Sequence, residues 1–168
     1  EWNAWSKGNP PEHTAILPFT RMLAGPVDYT PGIFDIMIEN FKKERKKWQD
    51  IETGYPVDST RVGSTLAKQL ALMVVLYSPM QMAADLPENY KDEPAFEFVR
   101  KLVADWQDSR VLNAEIGDFV TIARKERNGD RWFMGSITDE EGRNIREKLG
   151  FLDKGQDYVA EIYRDAPD

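Results

Sequence analysis

The hydrophobic pattern of this chain has a helical period in its middle and alternates near its end. Between residues 59 and 78 the apolar positions repeat every three or four residues, which predicts a helix. They are Val62, Leu66, Leu70, Met73, Val74 and Tyr77. From Leu70 on, nearly every face of this helix is apolar, so we expect the helix to be deeply buried. Pro79 is expected to end it.

A second helix is predicted to begin near Asp92, which can cap it, with Pro94 in its first turn. Its apolar face would hold Phe96, Val99, Leu102, Val103 and Trp106. We expect this helix to connect two domains.

From residue 118 the period changes to two. Residues 119–127 and 131–138 flank Asn128-Gly129, which predicts a type I′ hairpin because both central positions of that turn need a positive φ. Turn signals at 139–142 and 153–156 predict two more strands, at 142–149 and 158–163. The pattern indicates an antiparallel sheet, interpreted as half of a β-sandwich.

The first 34 residues have only short apolar runs, interrupted by Pro, Gly and Asn. This favours turns, strand ends and short helices. Residues 15–23 could form a short helix interrupted by Pro18, and 26–34 are interpreted as a strand and its following loop. The region also holds carboxylates, aromatic rings and the chain's one histidine, which favours a polar-ligand site. A proline-rich surface loop is the alternative.

Composition narrows the function classes. A chain of 168 residues suits one domain or two small ones, and its net charge of -7 argues against nucleic acid or an anionic membrane as a partner. The absence of cysteine excludes disulfides. The longest apolar run, residues 70–77, is far below the ~20 residues of a membrane span.

Several motifs, in order along the chain, resemble glycoside hydrolase family 97, a group of bacterial α-glucosidases and α-galactosidases. They include Glu1-Trp2-Asn3-Ala4, Asn9-Pro10-Pro11-Glu12-His13-Thr14, Gly25-Pro26-Val27-Asp28-Tyr29-Thr30-Pro31-Gly32, Thr65-Leu66-Ala67-Lys68-Gln69-Leu70, Tyr77-Ser78-Pro79-Met80-Gln81-Met82 and Gly117-Asp118-Phe119-Val120-Thr121. Family members are longer, with an N-terminal β-sandwich, a central (β/α)8 barrel and a C-terminal β-domain.

The resemblance implies an α/β plus all-β fold. A whole barrel needs about 250 residues. We therefore expect residues 1–108 to be the last part of a (β/α)8 barrel and 109–168 to be an antiparallel β-sandwich-like domain that this chain leaves incomplete. The resemblance also implies a periplasmic or extracellular location.

Glycoside hydrolysis uses one carboxylic acid to protonate the leaving oxygen and a second carboxylate as base or nucleophile. By resemblance, Glu1 falls where the family places its general acid, close to a bound Ca²⁺. The resemblance thus implies Glu1 as both catalytic and metal residue. It places the second carboxylate and the other Ca²⁺ ligands upstream. Carboxylates are suitable ligands for this hard cation.

Four more residues are candidates for substrate binding or support. Glu12 could act directly or be oriented by His13, unless both only shape their loop. Asp28 could hold a sugar hydroxyl or form an ion pair with Arg21. Trp2 could stack on a sugar face or pack in a core.

Two functional hypotheses follow. In the first, the chain is the C-terminal piece of a Ca²⁺-dependent α-glycosidase that acts on α-linked oligosaccharides. It would be inactive alone and would need the upstream half of the barrel or a second copy. In the second, it is a non-catalytic carbohydrate-binding or interaction module, with Trp132, Phe133 and Tyr158 as an exposed platform.

Overall fold

The computed structural model describes residues 11–36 and 64–165. The elements within them are α1 (Pro11–Ile16), two 3₁₀ turns (Leu17–Phe19 and Arg21–Ala24), α2 (Leu66–Val75), α3 (Pro87–Tyr90), α4 (Phe96–Lys101), β1 (Trp106–Glu115), β2 (Phe119–Glu126) and β3 (Trp132–Thr138). No helix in these ranges has the length and apolar character needed to cross a membrane.

Helix α2 is the central element and confirms the predicted deep burial. Its first turn is capped by Thr65, whose side chain accepts a hydrogen bond from the backbone N–H of Lys68. Six of its ten residues are buried: Gln69, Leu70, Leu72, Met73, Val74 and Val75. The prediction that Pro79 ends the helix is wrong. The helix ends at Val75, and the Arg124 side chain from the sheet donates hydrogen bonds to the carbonyl groups of Val74 and Val75.

The three strands form one antiparallel sheet in the order β1-β2-β3. The predicted hairpin is confirmed, with Phe119 opposite Thr138 and Lys125 opposite Trp132. Its turn is not type I′, because neither Asn128 nor Gly129 has a positive φ. The turn is wider and is closed by a hydrogen bond from the N–H of Glu126 to the carbonyl oxygen of Arg131. A Cβ at Gly129 would overlap the Glu126 carboxylate, so a side chain there would require that carboxylate to move.

The second predicted helix is shorter than expected. Asp92 is not its cap: it lies in a turn with φ 59°, and the helix runs from Phe96 to Lys101. Trp106 belongs to β1 instead, a strand that the sequence analysis did not find. Two irregularities in the pairing of β1, at 106/108 and 111/113, explain this because they break the alternation that would have marked the strand.

The predictions of strands at 142–149 and 158–163 are wrong, since neither segment is assigned as a strand. In the first, Arg143, Ile145 and Glu147 are half-buried while the residues between them are exposed, so alternation is present without strand pairing. The second is anchored by side chains: Lys101 Nζ lies 2.9 Å from Glu161 Oε2, and the rings of Phe98 and Tyr163 are 5.2 Å apart.

Residues 26–34 are not a strand either. Their buried backbone is bonded to α2 and its flanks: the N–H of Val27 donates to the carbonyl of Tyr77, and those of Gly32 and Ile33 donate to the Gln69 side chain. Within the described residues the chain forms a three-stranded sheet with few helices, and the barrel and sandwich remain predictions.

The core lies between α2 and one face of the sheet. It also takes in apolar side chains from the N-terminal segment. Its buried members are Leu17, Val27, Tyr29, Leu72, Val75, Leu76, Val120, Ile122 and Ile137. Helix and sheet come very close at Gly135, where a Cβ would lie 2.8 Å from the carbonyl oxygen of Ala71 and 3.0 Å from Cβ of Val74. The core therefore joins residues on both sides of position 108.

Candidate functional site

The structure describes three of the five predicted site residues. Glu1 and Trp2 lie outside the described residues. Glu12 is exposed in the first turn of α1, His13 is half-buried beside it, and Asp28 is exposed. The proposed ion pair of Asp28 with Arg21 stays a prediction.

Glu12 meets side chains from two distant parts of the chain. Its carboxyl is the first cause of a raised pKa at Glu140, which follows β3. Lys68 of α2 is the neighbouring cation, and its Nζ donates to the carbonyl oxygen of Thr138 over 2.8 Å. We call Glu12, Glu140 and Lys68 the carboxyl–lysine cluster. Sequence reasoning found only Glu12, because nothing in the local pattern of Glu140 or Lys68 distinguishes them from ordinary surface charges.

The surroundings shift the pKa values of both Lys68 and Glu140. Burial lowers the pKa of Lys68 to about 8, although Glu140, Asp139 and Glu12 act in the opposite direction. The pKa of Glu140 is raised, first by its hydrogen bond to Glu12 and then by partial desolvation. Two carboxyl groups can share a hydrogen bond only while one of them keeps its proton.

Next to the cluster, Asp139 is held as an ion pair. Its two oxygens accept hydrogen bonds from the guanidinium of Arg143, which also lies 3.2 Å from the carboxylate of Asp118. These contacts lower the pKa of Asp139, chiefly through the hydrogen bond from Arg143. Asp139 is therefore fixed as an anion, whereas Glu140 beside it is not.

Three polar side chains hold the segment that contains Asp28. Gln69 Oε1 accepts the backbone N–H groups of Gly32 (2.8 Å) and Ile33 (3.2 Å). Asp85 Oδ2 accepts those of residues 34 and 35, each over 2.7 Å. Tyr90 donates from Oη to the carbonyl of Gly32 over 2.8 Å, and burial raises its pKa to about 12. The loop backbone is thus fixed without strand pairing.

Sequence analysis missed these three supports. Gln69 gave one signal, since an amide in the middle of an otherwise apolar helix must find a partner when buried. Its Nε2 also donates to Ser64 Oγ over 2.8 Å, so both ends of the amide are used. Asp85 and Tyr90 gave no such signal, because their partners are 51 and 58 residues away in the chain.

The predicted aromatic platform does not exist. Trp132 and Phe133 are neighbours in β3 and so point to opposite faces of the sheet. Phe133 is only 8% exposed and packs on Trp106, with ring centroids 5.5 Å apart. Trp132 is covered by Phe151 at 4.9 Å and by the guanidinium of Arg110 at 5.3 Å. These rings are packing residues, which removes the geometric basis of the platform hypothesis.

An open groove of about 390 Å³ lies near the C-terminal end of α2. It is lined by Tyr77, Pro79, Val103, Ala104, Asp105, Glu126, Arg127 and Asn128. The charged groups of its wall pair with each other or with nearby residues: Arg127 with Asp105 at 2.8 Å, and Glu126 with Arg131 at 2.6 Å. Lys68 is near the other end of α2, so this groove is separate from the carboxyl–lysine cluster.

The implied metal site depends on Glu1, which the structure does not describe. Within residues 11–36 and 64–165, no group of three or more His, Asp or Glu side chains could hold a metal ion.

Comparison with known proteins shows which family this chain is similar to. Residues 105–168 match the family model described as glycosyl-hydrolase 97 C-terminal, oligomerisation. The chain is 35% identical over 157 residues to a retaining alpha-galactosidase of Bacteroides thetaiotaomicron, and 31% identical over 128 residues to a probable retaining alpha-galactosidase of Streptomyces bingchenggensis. These alignments cover 92% and 76% of the chain but only 21% and 16% of the relatives.

Solved structures give the same result. The chain is 49% identical to a glycoside hydrolase family 97 enzyme from Pseudoalteromonas sp. strain K8, seen in complex with panose and with acarbose. The match has a TM-score of 0.75 and covers 91% of this chain and 22% of that one. The chain therefore belongs to glycoside hydrolase family 97 and contains its C-terminal region.

Proposed function

We propose that the protein to which this chain belongs hydrolyses α-glycosidic bonds in oligosaccharides, and that the chain supplies its C-terminal part. The observation that carries the proposal is the 49% identity, over 91% of the chain, to a family 97 enzyme that binds panose. The chain spans only about a fifth of that enzyme, and the second catalytic carboxylate is proposed to lie upstream.

Both α-galactosidic and α-glucosidic bonds are candidate substrates. The curated relatives are named as retaining alpha-galactosidases, which favours α-galactosides. The structure with higher identity was solved with panose, a trisaccharide of α-linked glucose, which favours α-glucosides. Trp2, Glu12, His13 and Asp28 remain candidates for contact with the sugar or support of the site.

The test is turnover of nitrophenyl α-galactoside and nitrophenyl α-glucoside by the full-length protein. We expect activity on at least one, with the matching β-glycosides as controls for the stereochemistry. No turnover of either α-glycoside by folded, metal-loaded protein would overturn the proposal. Residues 1–168 alone should be inactive, because the second carboxylate is proposed to lie upstream.

Two further parts of the proposal concern the surroundings of the enzyme. Ca²⁺ is proposed to bind near Glu1, with its other ligands from upstream of this chain; carboxylate oxygens suit this ion. A periplasmic or extracellular location is proposed by analogy with the family. Fractionation of the native host, followed by immunodetection of the full-length protein, tests that location.

Self-association is proposed for the C-terminal region. Its family model is described as an oligomerisation domain, and the segment before its end exposes apolar side chains. Val159 is 96% exposed and Ile162 is 79% exposed, beside the partly exposed ring of Tyr158. Large exposed apolar side chains close together in sequence are typical of interaction surfaces. We propose that a second copy covers them.

Light scattering on the full-length protein tests this surface. Val159→Asp should lower the mass to that of the monomer, because a buried unpaired carboxylate is costly. Ile116→Asp is the matched control: Ile116 is also exposed (65%) but lies in the turn between β1 and β2. A wild-type monomer, or a dimer unaffected by Val159→Asp, would contradict the proposed surface.

A further inference from the structure

The segment 27–31 presents its side chains alternately to the core and away from it. Val27 and Tyr29 are 4% and 1% exposed, and both belong to the main core cluster. Asp28 between them is exposed, and Thr30 is half-buried. Such alternation is that of an extended chain, in which side chains two residues apart point the same way from Cα atoms about 6.6 Å apart. Asp28 and Thr30 therefore share the face that points away from the core.

The polar groups on this face suit a sugar. An ionised carboxylate accepts strong hydrogen bonds from hydroxyl groups, and a threonine hydroxyl can both donate and accept. Neighbouring hydroxyls of a pyranose ring offer the complementary donors and acceptors. Thr30 was not among the sequence candidates, because only the alternation of burial shows that it lies on the same face as Asp28.

Both ends of the segment are held through its backbone. At the start, the N–H of Val27 donates to the carbonyl of Tyr77 over 3.0 Å. At the end, the carbonyl of Pro31 accepts the N–H of Ala84 over 3.1 Å. The chain then turns at Gly32, whose φ of 97° favours glycine. The position of the polar face is thus set by residues that lie outside it.

Asp85 holds the turn that follows this face. Its Oδ2 accepts the N–H groups of residues 34–35, each over 2.7 Å. Its Oδ1 accepts the side-chain amide of Asn89 over 2.6 Å, and its backbone N–H donates to Tyr90 Oη over 2.8 Å. Tyr90 Oη in turn donates to the carbonyl of Gly32. Because both oxygens of the carboxylate are bonded, Asp85 is a fixed acceptor for the turn.

We propose that Asp28 and Thr30 contact hydroxyl groups of the bound sugar and that Asp85 is the positioning residue for both. This inference rests on the proposed function, since the sugar is the substrate proposed there. Asp85 acts through the backbone of the turn and does not itself touch the sugar. Its loss should let the turn move and should weaken the two contacts together.

Steady-state kinetics of the full-length protein, on the nitrophenyl α-glycoside that it hydrolyses, test the contacts. Thr30→Val should lower kcat/KM about 2- to 12-fold, the range of one neutral hydrogen bond. Asp28→Asn should lower it about 10- to 100-fold, because a hydrogen bond to a charged group is stronger. Both losses should fall mainly on KM, since hydroxyl contacts form before the glycosidic bond breaks. A variant with unchanged kcat/KM, or with a loss confined to kcat, would overturn the contact of that residue.

A double-mutant cycle tests the positioning role. Asp85→Asn alone should lower kcat/KM about tenfold, because an amide has one acceptor oxygen where the carboxylate has two. Added to Asp28→Asn and Thr30→Val it should cost less than about twofold, since the contacts that it positions are already lost. Asp85→Asn combined with Asn89→Asp should recover part of the activity, because the hydrogen bond between the two side chains is restored in the reverse direction. Glu88→Gln is the matched control: it removes an exposed carboxylate from α3 and should behave as wild type.

Hydrogen exchange separates a failure of this inference from a failure of the proposed function. Asp85→Asn should speed exchange of the amides of residues 34–35 at least about tenfold, and the milder Tyr90→Phe should do so more weakly. Unchanged exchange in both variants would show that Asp85 does not hold the turn. If Asp85→Asn does not fold, Tyr90→Phe takes its place in the cycle, since it removes the bond to Gly32.

The remaining outcomes are equally decisive. Faster exchange, with the same kinetic cost of Asp85→Asn in both backgrounds, would overturn the positioning role. Absence of α-glycosidase turnover by the wild-type protein would refute the proposed function and the sugar contacts with it. The exchange measurement would then still decide whether Asp85 fixes the turn.

Discussion

Arg124 is the buried cation that holds α2 on the sheet, and its removal should weaken that attachment. The residue is 7% exposed in β2. Its Nε donates to the carbonyl of Val74 over 2.6 Å and its Nη2 to that of Val75 over 3.3 Å. These are among the last carbonyl groups of the helix, which lack partners within it. The positive charge also complements the negative end of the helix dipole.

The magnitude follows from what Arg124→Met would leave behind. Each buried carbonyl that loses its partner costs about 1–3 kcal/mol. Loss of the guanidinium over the Tyr77 ring, 5.5 Å from its centroid, adds roughly 0.5–1 kcal/mol. Relief of a desolvated charge acts in the other direction, since burial lowers the pKa of Arg124. The expected net loss is about 2–4 kcal/mol.

Hydrogen exchange in the full-length protein provides the assay, because it reports the local free energy of opening of residues 66–76. Arg124→Lys should give an intermediate loss, since one ammonium group can reach one carbonyl but cannot span two as the guanidinium does. Arg127→Met is the control: Arg127 pairs with Asp105 and donates to the carbonyl of Trp106, both away from α2, so its loss should leave the opening of residues 66–76 almost unchanged. Equal effects of Arg124→Met and Arg127→Met would refute the reasoning.

Three other outcomes are expected. Glu1→Gln in the full-length enzyme should lower kcat/KM by about 10²-fold or more if Glu1 is the general acid, and a near-normal rate would exclude that role. Removal of Ca²⁺ by a chelator should abolish turnover and added Ca²⁺ should restore it; full activity after verified metal removal would rule out dependence on the ion. Gln69→Leu should destabilise the loop by about 2–4 kcal/mol, because it leaves the N–H groups of Gly32 and Ile33 buried without their acceptor; Gln81→Leu, with one side-chain bond to lose, should cost less. Equal losses from these two variants by thermal unfolding would contradict the account of Gln69.

The successful part of the sequence analysis rests on local signals. The apolar period around Leu70 and the alternation on both sides of Asn128-Gly129 each fall within a window of about ten residues. The two strands formed where they were predicted; the helix lies inside its predicted range but spans only Leu66–Val75, and residues 59–63 of that range lie outside the described residues. Strand β1 was not predicted, because irregular pairing at 106/108 and 111/113 removes the alternation of apolar and polar residues from its sequence. Such irregularity is set by the partner strand and by Trp106 turning into the core, neither of which is visible locally.

The supports of the candidate site could not be predicted for a related reason. Gln69, Asp85 and Tyr90 all bind the backbone of residues 32–35, and that backbone carries no side-chain signature of its partners. The sequence analysis selected Glu12 because it stands beside His13 in the first segment, whereas Glu140 lies in a predicted turn between other acidic residues. The role of Gln69, Asp85 and Tyr90 becomes visible only when folding brings them to the backbone of residues 32–35.

Helix α2 shows how the two halves of the chain depend on each other. At its N-terminal end, the N–H of Ala67 donates to the carboxylate of Asp165, and Lys68 Nζ donates to the Thr138 carbonyl. At its C-terminal end, Arg124 occupies the carbonyls of residues 74 and 75. Both ends of the helix are therefore bonded to residues beyond position 108, while the Gln69 amide in its middle holds the loop at residues 32 and 33. A change in the β-region that moved α2 would consequently move this loop as well, so the C-terminal region would contribute to the geometry of the proposed site in addition to any role in self-association.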